Sequence, residues 1–507
     1  MLQVDRPEGG SAPPTRAPAD RGWSLDLTAS GRLGATLTAL LFASMISPTA
    51  SLAAGYDPAT DANSMANTTA YTGATAWWDA GYTGEGVDVA LIDTGVSPVD
   101  GLDGSGKIVY GPDLSLESQA PALRDLDTNG HGTFMAGLIA AKSSGYRGMA
   151  PDARILSVKV GVADGGTDVS QVIAAIDWVV EHRRDGDLNI RVINLSYGTN
   201  SAQDYKVDPL AFAAERAWKE GIVVVVAGGN YGFQSHMNNA PALADPAIDR
   251  YLLAVGSSDS NGTVVQADDT VPAFSPWPKR GATRGVDLIA PGTHIQGLRV
   301  PESYLDQHHP EGQLGSRYFR GSGTSESAAI VSGAVALILD KNPGATPDEV
   351  KRLLMNTAAD IIGKSQAIGG GELQLARTLL TPVSNSTQTW PSSTGTGKLE
   401  LSRGTDHLTL DGVELTGEQD IFGQHFDADE MAALEASGNS WSGVKWNGNS
   451  WSGSSWSGNS WSGNSWSGVK WSGNSWSGSS WSGNSWSGSS WSGNSWSGNS
   501  WSTASWD

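Results

Sequence analysis

Four side chains have the types and settings that acyl-transfer chemistry needs: Asp93, His131, Asn230 and Ser325. Ser325 lies in Gly321-Ser322-Gly323-Thr324-Ser325-Glu326-Ser327-Ala328, where glycines and small hydroxyl residues lead into the run 329–339. That run is apolar almost all round, so it reads as a buried helix. It is stopped by Asn342-Pro343-Gly344. A hydroxyl at the mouth of such a helix meets free N–H groups and the positive end of the dipole. There it can attack a carbonyl and have the oxyanion stabilised at once. A plain Ser/Thr N-cap has the same local spelling, so the rest of the apparatus must be found elsewhere in the chain.

His131 stands in Gly130-His131-Gly132-Thr133, ahead of a second apolar helix over 134–141. A helix N-terminus disfavours imidazolium, which predicts a neutral ring ready to accept a proton. A carboxylate must then stabilise the charged ring. Asp93 ends the apolar run 87–92 and can accept a bond from the other ring nitrogen. Asn230 follows Ala227-Gly228-Gly229 at another strand end, and its amide N–H would join the Ser325 backbone N–H in an oxyanion hole. Each motif alone has a plainer reading. Asp93-Thr94-Gly95 fits a turn, or half of an aspartic protease, but no second Asp-Thr-Gly or Asp-Ser-Gly occurs. His131 alone fits a helix cap and Asn230 a turn residue. Their joint occurrence at element ends beside glycine selects the catalytic reading.

The elements that must position them alternate. Apolar runs at 87–92, 153–160, 191–196, 222–227, 251–256 and 285–290 read as strands, several apolar on both faces. Helices are expected after Asp168, over 208–220 and after the capping box Thr346-Pro347-Asp348-Glu349. This pattern predicts an α/β fold, a mainly parallel sheet with helices on both faces.

The chain has 507 residues and a net charge of −21, with no cysteine. That balance argues against nucleic acid as a partner, and it excludes disulfides, thiolate nucleophiles and Cys-based metal sites. The segment 33–56 carries no charge, has an apolar centre at Ala39-Leu40-Leu41-Phe42-Ala43 and is broken by Pro48. With Ser51-Leu52-Ala53 as a cleavage pattern, 1–53 reads as a signal peptide. Residues 54–70 read as a short loose segment, 71–380 as the catalytic block and 381–436 as a linker with strand-like fragments such as 407–410. From 437 to 507 a pentad takes over, Trp recurring every five residues from Trp441 to Trp506. Disorder is the favoured expectation, because little but indole could build a core there. A stacked solenoid, or a flexible tail that stacks on sugars or apolar partners, are the alternatives.

Over roughly 71–376 the sequence resembles the subtilisin-like serine proteases (peptidase S8), here of bacterial secreted type with a low-complexity C-terminal tail. The order Asp, His, Ser is that family's. The resemblance rests on Leu91-Ile92-Asp93-Thr94-Gly95-Val96, Asp127-Thr128-Asn129-Gly130-His131-Gly132-Thr133, Val192-Ile193-Asn194-Leu195-Ser196-Tyr197-Gly198 and Ala290-Pro291-Gly292. It implies a subtilisin-like three-layer fold with Asp93 as orienter, His131 as general base and acid, Ser325 as nucleophile and Asn230 as oxyanion donor. Ser196, Tyr197 and Gly198, with Ala227, Gly228 and Gly229, would bind substrate. The implied protein is a monomeric, secreted serine endopeptidase acting on protein or peptide substrates, with cell-envelope contact through the tail. No cofactor is needed for the chemistry. Structural calcium is common in the family, and Asp100, Asp103, Asp113, Asp125 and Asp127 are candidate ligands by type. A catalytic metal is not expected, since no His-Glu-x-x-His occurs. After the nucleophile the family usually carries Met, Ala and, four residues on, Pro. This chain has Glu326, Ser327 and Ala329, and the carboxylate would raise the histidine pKa or disfavour acidic substrates. The 17 or so residues between the cleavage pattern and the catalytic block are too few for an N-terminal pro-domain. The rival reading is a catalytically idle scaffold whose Trp-rich tail binds a surface.

Overall fold

The computed structural model describes residues 56–232, 243–277, 284–361, 365–410, 413–443, 445–447, 449–450, 470–471, 474–475 and 503–505. Residues 1–53, expected as a signal peptide, and most of the pentad repeats lie outside these. Among the described residues no helix is long and apolar enough to cross a membrane.

The apolar runs become a seven-stranded sheet. In chain order its strands are β1 (Asp88–Asp93), β2 (Ile108–Asp113), β3 (Arg154–Lys159), β4 (Ile190–Leu195), β5 (Val223–Ala227), β6 (Leu253–Ser258) and β7 (Leu288–Pro291). Their spatial order is β2-β3-β1-β4-β5-β6-β7, every pairing parallel. β1, β4, β5, β6 and β7 are buried along their whole length, which requires cover on both faces. Helices α1 (His131–Ala140) and α4 (Thr324–Lys341) pack on each other, with α4 lying along β4 to β7. Helices α2 (Val169–His182) and α3 (Pro209–Lys219) form a second packed pair against β1 and β5. Asp168 and Asp208 cap α2 and α3 as the sequence indicates, and Thr346 closes its capping box at α5 (Pro347–Thr357). The strand order reverses between β1 and β4, and open α/β sheets present ligands at such a point, beyond the carboxyl ends of the strands.

Three stretches differ from their sequence reading. Residues 65–72, expected as loose, form a helix capped by Ser64, with the Met65 N–H donating to Gln296 Oε1 at 2.9 Å. Residues 381–397 run extended but tied down: Gln388 N donates to Asp348 Oδ2, and Ser393 N to Glu215 Oε2, each at 2.8 Å. Beyond them Leu399, Leu408, Leu415, Ile421, Phe422 and Phe426 enter the main core, since so short a segment cannot enclose a core of its own. The third stretch, 441–450, was expected to be disordered. Its described residues form three two-residue antiparallel strands, 441–442, 445–446 and 449–450, in which Trp441 faces Trp446. Both indoles are buried on α2, Trp441 Nε1 donating to Ala174 O and Trp446 Nε1 to Asp177 Oδ2, each at 2.9 Å. These short strands follow one another in antiparallel pairs, so that Trp441 meets Trp446 and Ser442 meets Lys445, then Lys445 meets Ser450 and Trp446 meets Asn449.

Candidate active site

Asp93 is the last residue of β1, and its Oδ1 lies 2.7 Å from His131 Nδ1. The same carboxylate accepts the Thr94 N–H at 2.8 Å, which fixes its plane. His131 begins α1 after Gly130, and Gly132 must be glycine, because a Cβ there would stand 2.1 Å from Gly95 O. The Asp and His loops are clasped together by Asp127. Its carboxylate accepts Gly130 N and Thr133 N at 2.7 Å each and Thr94 Oγ1 at 2.8 Å, while Thr94 Oγ1 accepts Gly132 N at 2.9 Å. Behind this clasp the buried pair Lys159–Glu117 (2.5 Å) holds the incoming loop: Lys159 donates to Leu126 O and Thr128 Oγ1 donates to Glu117.

Ser325 is the second residue of α4, and Gly323 is the cap. The N-cap reading of Ser325 is therefore not realised. Its Oγ donates to Ser196 O at 3.3 Å. A buried chain fixes the turn from below: Ser332 Oγ donates to Asn194 Oδ1 (2.8 Å), Asn194 Nδ2 to Ser196 Oγ (2.9 Å), and Ser196 Oγ to Ser325 O (3.4 Å). Asn230, three residues past β5, accepts Thr324 N and Thr324 Oγ1 at 3.0 and 3.1 Å through Oδ1. This commits its oxygen to the backbone just before Ser325 and leaves buried Nδ2 without a protein partner. A buried amide N–H in that state is costly unless something arrives to accept from it, and an oxyanion at Ser325 would.

Burial alone pushes the His131 imidazolium down. The Asp93 charge and its hydrogen bond, then the charges of Glu326 and Asp127, more than offset this, so the ring titrates above the ordinary histidine value. This is the direction expected from the Glu326 carboxylate; the helix dipole, which alone would act the other way, is outweighed by the three carboxylates. Ser327, the second departure from the family pattern, donates to Ala290 O at 2.9 Å, beside a Gly292 whose absent Cβ would lie 2.1 Å from Ser327 Oγ.

Ser196, Tyr197, Gly198, Ala227, Gly228 and Gly229 all lie at the carboxyl ends of β4 and β5, and all are buried. The Tyr197 side chain sits in the core, so only its backbone faces the cleft. Between these two strand ends runs a segment with no motif to announce it. Ala244 N donates to Gly228 O (2.9 Å), while Asp245 and Thr199 exchange bonds of 2.9 and 3.0 Å. Gly198 is needed against it, since a Cβ would meet Ala244 Cβ at 2.7 Å. The acidic calcium candidates are otherwise engaged. Asp100 pairs with Arg317, Asp103 accepts from Gly101 N, and Asp113 accepts from Ser115 and from Asp125 N. Among the described residues no group of three or more His, Asp or Glu is disposed to hold a metal ion.

A parallel α/β sheet with an Asp–His pair and a helix-borne serine at its switch point defines a class of hydrolase folds, and similarity narrows it. The Peptidase_S8 model, the subtilase family, matches residues 84–397, and the chain belongs to that family. It is 40% identical over 285 residues to serine protease AprX of Bacillus subtilis, covering 54% of this chain and 61% of that one. To minor extracellular protease Epr of the same organism it is 30% identical over 301 residues, covering 59% and 39%. To subtilisin BL of Lederbergia lenta it is 33% identical over 293 residues, covering 57% and 90%. The chain thus spans less than two thirds of the length of AprX and Epr. Among solved structures, a cold adapted subtilisin-like serine proteinase matches at 27% identity and a TM-score of 0.44, covering 58% of this chain and 89% of that one.

Proposed function

We propose that this protein is a secreted serine endopeptidase. The observation that carries the reading is Asp93 bonded to His131 at the sheet's switch point, with Ser325 in the first turn of the helix that packs on the helix begun by His131. In this reading Ser325 Oγ attacks the peptide carbonyl as its proton passes to His131 Nε2. The Ser325 backbone N–H and Asn230 Nδ2 receive the oxyanion. His131 then gives the proton to the departing amine as the C–N bond breaks. Water, deprotonated by the same ring, releases the acyl group. Every step uses groups of this chain. Substrate lies extended along 196–198 and 227–229, with Ala244 at the end of the slot between them. The net charge of −21 favours protein or peptide substrates over nucleic acid. The uncharged apolar segment 33–56 supports export, and the tail supports contact with the cell envelope.

The test is Ser325→Ala against a general protein substrate, with fluorophosphonate labelling of the parent. The expected outcome is labelling at Ser325 and a loss of hydrolysis of at least about 10³-fold in a folded variant. A folded parent that takes no label would refute the proposal and favour the idle scaffold with a binding tail.

A further inference from the structure

The strand that delivers Ser325 has an unusual neighbour. It is β9 (Tyr318–Gly323), whose 318–321 portion pairs antiparallel with β8 (Ile295–Leu298). Past that pairing, Gly323 N donates to Gly292 O at 2.7 Å. Successive residues of a strand present their N–H and C=O groups to opposite sides, so the main chain of Ser322 faces the other edge. That edge is filled from the far end of the chain. β10 (Thr503–Ser505) pairs antiparallel with it, Ser322 opposite Ser505 and Gly323 opposite Thr503, and lies against α4. The site it borders is closed: Asp93, Ser325 and His131 are 0, 0 and 1% exposed, and Ser322 is 2% exposed.

The sequence marks the same segment independently. In every pentad from Trp441 to Trp496 the third residue is glycine, whereas the unit Trp501-Ser502-Thr503-Ala504-Ser505 has threonine there and alanine next. Gly weakens a strand and β-branched Thr favours one. The one unit that abandons the glycine is the one paired beside the nucleophile.

We propose that Thr503–Ser505 is an intramolecular occupant of the active-site strand edge that holds the full chain in a self-inhibited state. The inference rests on the peptidase reading above. An extended substrate crossing Ser325 needs the main chain of residues 322–323, and β10 already uses it. Substrate must therefore displace a competitor tethered at roughly millimolar effective concentration.

The experiment uses the full chain and a variant carrying Thr503→Pro and Ser505→Pro. Proline removes the N–H groups that a strand needs and leaves every residue of the site untouched. Both proteins are assayed for fluorophosphonate labelling rate and casein hydrolysis, with intact mass checked. A synthetic peptide of residues 499–507 is then added to the variant. The expected result is labelling and hydrolysis about tenfold or more faster in the variant, reversed by the peptide in a competitive manner. Equal rates in the two proteins, both active, overturn the self-inhibition and leave the peptidase reading standing. A faster variant that the peptide does not slow also overturns it, because the occupant would then not be this segment. If neither protein labels or hydrolyses, the peptidase reading falls and the inference with it.

Discussion

Glu326 sits beside the proposed nucleophile, is fully buried, and adds its charge to that of Asp93 in raising His131. Replacing it by glutamine keeps the shape and removes the charge. His131 must be neutral to take the serine proton, so kcat/KM should rise as pH climbs through its raised pKa. Removing a carboxylate that favours the imidazolium lowers that pKa and moves the limb to lower pH. Unit charges on neighbouring side chains at an effective dielectric of about 20 interact by roughly 1–2 kcal/mol, or about one pH unit. Burial opposes the charged ring and Asp93 remains, so about one unit is expected. Below the limb the variant should be the faster enzyme, by up to about tenfold. Above it the plateau should fall, because the same carboxylate stabilises the ring once protonated. The assay is kcat/KM on a peptide substrate from pH 5 to 9, with labelling rate as a second readout. A limb that stays put, or moves up, would refute the electrostatic account of His131.

Asn230→Ala removes the unpartnered amide; kcat should fall by about 10²–10³ with KM little changed, measured on the same substrate. Asp127→Ala orphans two buried donors, Gly130 N and Thr133 N, and takes one acceptor from Thr94 Oγ1; at about 1–3 kcal/mol for each orphan, urea unfolding should show a loss of several kcal/mol. Trp446→Ala empties a fully buried site and breaks the bond to Asp177; unfolding should show a loss of about 3–5 kcal/mol, whereas a disordered tail would show none.

The parts of the site that were legible in the sequence share a cause. Asp93, His131 and Ser325 sit at element ends, where an apolar run gives way to glycine, and both the run and the glycine are local signals. Gly132 is legible for the same reason, because Gly95 O leaves no room for a Cβ. What escaped was whatever depends on distant partners. Asp127 is legible as part of the histidine motif and as a calcium candidate by type, but nothing near it announces that Thr94 and Thr133 will close around it. Asn194 and Ser332 are an ordinary strand residue and an ordinary helix residue until the fold stacks them under Ser325. The sign of the His131 shift was half legible: Glu326 beside Ser325 predicts a raised value and the helix dipole alone a lowered one, and the carboxylates that decide it come from β1, the preceding loop and α4. The pentads failed in the opposite sense. Their period of five fits neither a helix nor a strand face, so it was taken as structureless. Yet short strands pair within the repeat, Lys445 opposite Ser450 and likewise Lys470 opposite Ser475. Its indoles need a surface to be buried on, and α2 supplies one at Trp441 and Trp446. The order at Trp441 and Trp446 is thus decided by the helix they lie against, and not by the composition of the repeat.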